Sequence, residues 1–290
     1  MTHFENALLF KCIVEQGSVS KAAAQFNMTP SAASKRLHKL EKSLGTVLIK
    51  RTTRSLSVTE SGEYFYEKVR FLQHEWQNAI DETNSFNATV KGKLIIAAPQ
   101  PLASRFLMPA VAAFHQHFPL IDLEMIHSQL DQLPSMQADV SISRELAHYD
   151  SNTMLIRPFF TYQNSLFASP DYLASHAPID SIEDLHQHEC LCYEHTQSWH
   201  FSSQSVELRN KVVTNSAEIM ISAAKQGMGI AYLPEVILTE EINSGALIPV
   251  LNAYHSQHYR TCLYHMKMSY IPKKTRLFID FLCSHFEQYN

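Results

Sequence analysis

Apolar positions recur at helical spacing through the first third of the chain. Ala33, Leu37, Leu40 and Leu44 share one face of a predicted helix over residues 30–44. Thr29 can cap that helix, Pro30 fits its first turn and Gly45 can end it. The opposite face carries Ser31, Lys35, His38, Lys39 and Lys42. Upstream, Phe4, Ala7, Leu8, Phe10, Cys12, Ile13 and Val14 predict a first helix ending near Gly17. Ser18 caps a second, short helix with Ala22, Ala23 and Phe26 inward, and Asn27-Met28-Thr29 is the turn between helices. This is a helix-turn-helix pattern. Residues 46–59 are β-branched with a basic tip, which predicts a two-stranded wing.

A longer helix follows over about 61–87. Phe65, Val69, Leu72, Trp76, Ala79, Thr83 and Phe86 form a heptad seam that is apolar except at Thr83. A partner helix is the expected cover for that seam; packing against the chain's own head is the other reading. A dimer would present two reading helices to half-sites about 34 Å apart. Thr89-Val90-Lys91-Gly92 ends the helix. We therefore divide the chain into a head over 1–60, a linker or dimerisation helix over 61–90, and a body over 91–290.

In the body, predicted strands at 93–98, 121–126 and 139–142 surround a helix at 104–118. Further strands at 164–168, 189–193, 211–214, 229–233 and 260–264 alternate with helices near 170, 216–225, 234–243 and 274–286. The alternation predicts parallel α/β sheets. Its renewal after residue 164 predicts two lobes, with ligands in a cleft beyond the strand ends.

Charge sharpens the division. Residues 1–60 hold nine Lys/Arg and four Asp/Glu, and the remainder holds 15 and 24. A basic head on an acidic body fits a polyanion-binding module joined to something else. Between Lys35 and Arg54 there are seven basic residues and one acidic residue, Glu41. Arg51 and Arg54 fit phosphates or a minor groove, and Thr52 and Thr53 can bond phosphate oxygens. The N-terminus lacks a signal-peptide pattern and no apolar run reaches membrane-spanning length, so a cytoplasmic location is expected. Five scattered cysteines do not form a disulfide framework.

The run from Phe10 through Gly62 resembles the winged helix-turn-helix of LysR-type transcriptional regulators. The likeness rests on Gly17-Ser18, Ala22-Ala23, Ser34, Leu40-Glu41, Leu44-Gly45, Leu48, Arg51 and Leu56-Ser57-Val58-Thr59-Glu60-Ser61-Gly62. Arg51-Thr52-Thr53-Arg54 resembles the wing of one branch of that family; Ile49 departs from its usual Phe. Phe106-Leu107-Met108-Pro109, Phe118-Pro119, residues 168–173, Glu183-Asp184-Leu185 with His188, and residues 227–234 are similar to landmarks of the family's effector domain. The resemblance implies a multi-domain α + α/β chain. Its parts would be a winged helix-turn-helix, a linker helix and a two-lobed effector domain similar to a periplasmic binding protein. Lobe I would span about 92–162 and 266–290, and lobe II about 163–265. Implied partners are double-stranded promoter DNA, a small-molecule effector, RNA polymerase and a second copy of the chain, as dimer or tetramer. No cofactor and no membrane partner are implied.

Candidate DNA-contacting residues are Ser18, Thr29, Ser31, Ala32, Ser34, Lys35, Arg36, Lys39, Arg51, Thr52, Thr53 and Arg54. Candidate dimerisation residues are Phe65, Val69, Leu72, Trp76, Ala79 and Phe86. The turn before residue 104 leads into a helix N-terminus that favours an anion or carboxylate. The resemblance makes this turn a wall of the effector cleft. Gln100, Pro101 and Ser104 are its candidates, with Ser128 and Ser143 beside them and Asn215, Ser216 and Met228 from the second lobe.

A competing reading keeps the DNA-binding head and makes the body a redox or metal sensor, and a third makes the chain a small-molecule binding protein that does not act on DNA. If the whole run of residues 186–195 formed one strand, His186, His188, Cys190 and Cys192 would share a face. The spacing is not a standard zinc motif; the ten Met could report oxidation, but Met is more often core filler. No nucleophile elbow, phosphate loop or His-Glu-x-x-His is present. We expect no enzymatic activity and no metal or catalytic site.

Overall fold

A computed structural model describes residues 3–51, 56–85, 90–129, 134–135, 137–146, 153–194, 198–208, 210–268 and 271–287. The chain divides into two compact units, Met1–Gly92 and Lys93–Asn290.

The first unit opens with helices α1 (His3–Gln16), α2 (Val19–Gln25) and α3 (Pro30–Leu44). Leu9, Phe10 and Ile13, Ala22 and Ala23, and Ala33, Leu37 and Leu40 pack into one core with Leu48. Small alanines let α2 and α3 approach closely, so the helix-turn-helix stays compact. The caps are as the sequence predicts. Ser18 accepts the Lys21 N–H, Thr29 accepts the Ala32 N–H, and Gly45 ends α3 at a φ of 68°. Leu44, placed by periodicity on the buried face, is instead 43% exposed, because the last turn of α3 runs past the core. Strands β1 (Ile49–Arg51) and β2 (Leu56–Val58) pair antiparallel as the stem of the wing.

Helix α4 (Glu60–Ser85) follows, with the Thr59 hydroxyl accepting the Gly62 N–H. Its seam divides. The near half turns inward: Phe65 meets Phe10 at 5.7 Å between ring centroids, and Val69 is buried. The far half is open, with Leu72 52% and Trp76 62% exposed and Ala79 also exposed. Packing on the chain's own head is thus right for the first part of the seam. It fails further along, because the helix outruns the head. Phe86 lies outside the described residues.

The second unit has two mixed five-stranded sheets. Its elements are β3 (Gly92–Ala98), α5 (Gln100–Leu102), α6 (Met108–His117), β4 (Ile121–His127), β5 (Val140–Arg144) and β6 (Met154–Tyr162). Then come β7 (Asn164–Ala168), α7 (Pro170–Ser175), β8 (Glu189–Tyr193), β9 (Ser198–His200), β10 (Ser205–Glu207), β11 (Asn210–Thr214) and α8 (Ala217–Lys225). The chain closes with β12 (Ile230–Pro234), α9 (Thr239–Asn243), β13 (Ile248–Val250), β14 (Tyr259–Met266) and α10 (Lys273–His285). The first sheet has the order β4-β3-β5-β14-β6 and the second β11-β8-β12-β7-β13.

The sheets are not purely parallel. β3 and β5 are parallel, but β14 runs antiparallel to both β5 and β6. In the second sheet β8 pairs parallel with β11 and β12, whereas β7 runs antiparallel to β12 and β13. The reversed strands are β7 and β14, which follow β6 and β13 without a crossover helix between them.

Candidate functional site

The head presents α3 as a two-faced helix. Ala33, Leu37 and Leu40 are buried, while Ser31, Lys35, His38 and Lys39 are exposed. Ala32, Ser34 and Arg36 are half-buried at the flanks. The Arg36 Nη1 is shielded from solvent without a hydrogen-bond partner among the described residues. Ser18 and Thr29 stand at the N-termini of α2 and α3, where their hydroxyls are engaged as caps. The backbone of Arg51 ends β1; Thr52, Thr53 and Arg54 lie outside the described residues. A helix of this diameter with a basic, hydroxyl-bearing face suits the major groove.

In the second unit the candidate cleft residues come from several elements and the turns between them. Gln100 is exposed at the start of α5, and Pro101 beside it is half-buried. A π turn over Ala103–Leu107 carries Ser104 and Arg105. The Ser104 hydroxyl lies 2.9 Å from the Gln100 carbonyl and 3.5 Å from Glu218 Oε1. Glu218 sits in the first turn of α8, which Ser216 caps by accepting the Ile219 N–H. The turn near residue 100 and the N-terminus of α8 thus face one another, with Asn215 exposed next to them. Ser128 N–H donates to the Ala98 carbonyl, and its shielded hydroxyl has no partner among the described residues. Ser143 is buried within β5, opposite Cys262 of β14. Met228 is exposed, in a loop that Gly227 brings against Ser169 and Tyr172.

Periodicity does not reveal the strongest feature of this region. Arg105 donates from Nε and Nη2 to the two Glu218 oxygens, each at 2.8 Å. Its Nη1 reaches both Glu241 oxygens, and Lys225 approaches Glu241 at 3.4 Å. Glu218 hydrogen bonding raises the Arg105 pKa; burial opposes this and Glu241 adds to it. The same hydrogen bond holds the Glu218 carboxyl below its ordinary range. This ion cluster ties the turn before α6 to α8 and α9. The acidic first turns of those two helices were its only local signal.

The supposed metal face is not a single strand. His186 lies in a 3-10 turn over Ile182–Gln187, and β8 begins only at Glu189. The alternation that would align the four side chains is therefore broken. Cys190 and Cys192 are fully buried, and burial chiefly pushes the Cys190 thiol up to about 12. A thiol so disposed is a poor nucleophile. No group of three or more metal-ligating side chains occurs among the described residues. No helix among them is long and apolar enough to cross a membrane.

Residues 4–63 match the model "Bacterial regulatory helix-turn-helix protein, lysR family", and residues 87–287 match "LysR substrate binding domain". The chain is 29% identical over 289 residues to the HTH-type transcriptional regulator CrgA of Neisseria meningitidis serogroup B; the match covers 97% of this chain and 96% of CrgA. It is 26% identical to the HTH-type transcriptional activator TtdR of Escherichia coli K12, with 95% and 91% covered. The full-length structure of the Vibrio cholerae virulence activator AphB superposes with a TM-score of 0.64 at 29% identity, covering 98% of this chain and 99% of that one.

Proposed function

We propose, for a chain that belongs to the LysR family of DNA-binding transcriptional regulators, a division of labour among a reading head, a pairing helix and an effector-binding body. The head spans 1–60, the pairing helix 61–90 and the body 91–290. The exposed face of α3 enters the major groove. Ser31, Ser34, Lys35 and Arg36 read or steady base edges, and Lys39 and Arg51 lie along phosphates. One observation carries this reading: the basic, hydroxyl-bearing side of α3 is exposed while its apolar stripe is buried.

The open half of the α4 seam supports pairing with a second copy through Leu72, Trp76 and Ala79. Two heads so joined would bind a pseudo-palindromic promoter site as a dimer, or within a tetramer. A small molecule held near Gln100, Ser104, Asn215 and Ser216 would shift the arrangement of the paired heads and hence the access of RNA polymerase. Support comes from the approach of the Gln100–Ser104 turn to the start of α8.

Footprinting with the full-length protein tests the reading. Protection should span one to several DNA turns and weaken steeply as salt rises, because phosphate contacts release counterions. Lys35→Ala together with Lys39→Ala should abolish it. Gln100→Ala with Ser104→Ala should remove the response to the inducing metabolite and leave the footprint intact. Protection unaffected by the lysine substitutions would reject α3 as the reading element.

A further inference from the structure

Glu41 is out of place by charge: it is the one acid among seven bases between Lys35 and Arg54. A carboxylate on a surface that meets a polyanion opposes binding, so charge alone gives no reason for it.

Its contacts supply one. Glu41 Oε1 accepts the N–H of Leu48 at 2.9 Å and of Ile49 at 3.2 Å. Those residues carry the chain into β1, the first strand of the wing stem. The Leu48 carbonyl in turn accepts the Thr59 N–H at 3.0 Å, and the Thr59 hydroxyl lies 2.8 Å from the Val47 carbonyl. Thr59 also caps α4 through the Gly62 N–H. Gly62 is pressed so closely here that a Cβ on it would lie 2.2 Å from the Leu48 oxygen. The backbone of Leu48 is thus a three-way joint between α3, the wing stem and α4. Leu48 is itself fully buried, so its polar backbone groups need these partners. His38 and Lys42 of α3 and Lys50 of the wing stem line one open concavity around the joint.

We propose that Glu41 is a positioning residue for DNA binding. It acts through the Leu48 and Ile49 amides, fixing the wing stem against α3 so that Lys42 and Lys50 meet one duplex together. Its value lies in the oxygen acceptor rather than the charge.

The test compares full-length wild type, Glu41→Ala and Glu41→Gln by fluorescence anisotropy. The probe is a labelled duplex selected by the wild type from a random-sequence pool, titrated from about 50 to about 200 mM salt. Glu41→Gln keeps an acceptor and loses the charge; Glu41→Ala loses both. We expect Glu41→Ala to weaken binding by roughly tenfold or more and to flatten the salt slope by about one, as one phosphate contact is lost. Glu41→Gln should bind within about twofold of wild type or more tightly, since a repulsive charge is gone. Charge repulsion alone predicts tighter binding by both variants. Equal or tighter binding by Glu41→Ala overturns the proposal, and so does an equal loss in both. Should Glu41→Ala show no cooperative melt, hydrogen exchange of the wild-type segment 47–50 decides. Slow exchange at Leu48 and Ile49 supports the clamp, and rapid exchange at both overturns it.

Discussion

Arg105 Nη1 lies 3.0 and 2.9 Å from the two carboxylate oxygens of Glu241, a residue only 1% exposed. A buried carboxylate is tolerable only with such partners, and Lys225 at 3.4 Å is a distant second. Arg105→Ala should therefore destabilise the second unit by about 3 kcal/mol. Replacing both partners, as in Arg105→Met with Glu241→Leu, should cost much less. Urea denaturation followed by Trp199 fluorescence separates these outcomes, and a double variant as unstable as Arg105→Ala would show that burial of the pair is not the cause.

The divided seam of α4 predicts different consequences along one helix. Leu72→Ala with Trp76→Ala removes exposed surface, so it should leave monomer stability within about 0.5 kcal/mol. Self-association, read by sedimentation, should weaken by at least about tenfold, because large aromatic anchors dominate such interfaces. Val69→Ala, which opens a gap beneath the head, should do the reverse: a lower Tm with little change in association.

Thr29 supports α3 through a local contact, its hydroxyl accepting the Ala32 N–H at 3.2 Å. Thr29→Ala should cost about 1 kcal/mol of head stability, and Thr29→Ser or Thr29→Asp should recover most of it. Thermal melts of the three variants provide the measurement. A loss not recovered by either replacement would assign Thr29 a role other than capping.

His188 makes stability depend on pH. Burial, above all, lowers its pKa from the ordinary 6.5; nearby His176 lowers it further and Asp184 opposes. The unfolded chain takes up a proton near 6.5 while the folded chain takes it up only at lower pH. The His188 contribution is therefore complete above about pH 6.5 and is lost as pH falls through the folded value. Denaturation midpoints should fall on acidification in this window. His188→Gln, which keeps a polar group near the Tyr172 hydroxyl 3.1 Å from Nδ1, should flatten the dependence.

The head was legible because its signals are local. Thr29, Pro30 and Gly45 bracket α3 within the helix they define, and the stripe of Ala33, Leu37 and Leu40 needs only one period. The missing strands have specific reasons. β6 contains Pro158, which cannot donate to a ladder and so argues against a strand. The fold admits it where the pairing with β14 shifts register between Thr261 and Cys262. β9 and β10 have three residues each, too few for alternation to show. The Arg105–Glu241 pair joins positions 136 residues apart, beyond any periodicity. Leu72 and Trp76 read correctly as a seam, but where the head's cover ends depends on the size of the head, which no spacing records.

The backbone joint at Leu48 is also the fulcrum of a lever. Helix α4 begins beside it and runs for 26 residues, a length of about 39 Å at roughly 1.5 Å per residue. A turn of about 5° at the fulcrum moves the far end by about 3.4 Å, which is about one base-pair step of a duplex with ten pairs in about 34 Å. Seen from the other end, holding two paired helices in register to one base pair asks the joint for an angular tolerance of only a few degrees. Two amide hydrogens on one oxygen and a glycine with no room for a methyl group are a means of setting so fine an angle.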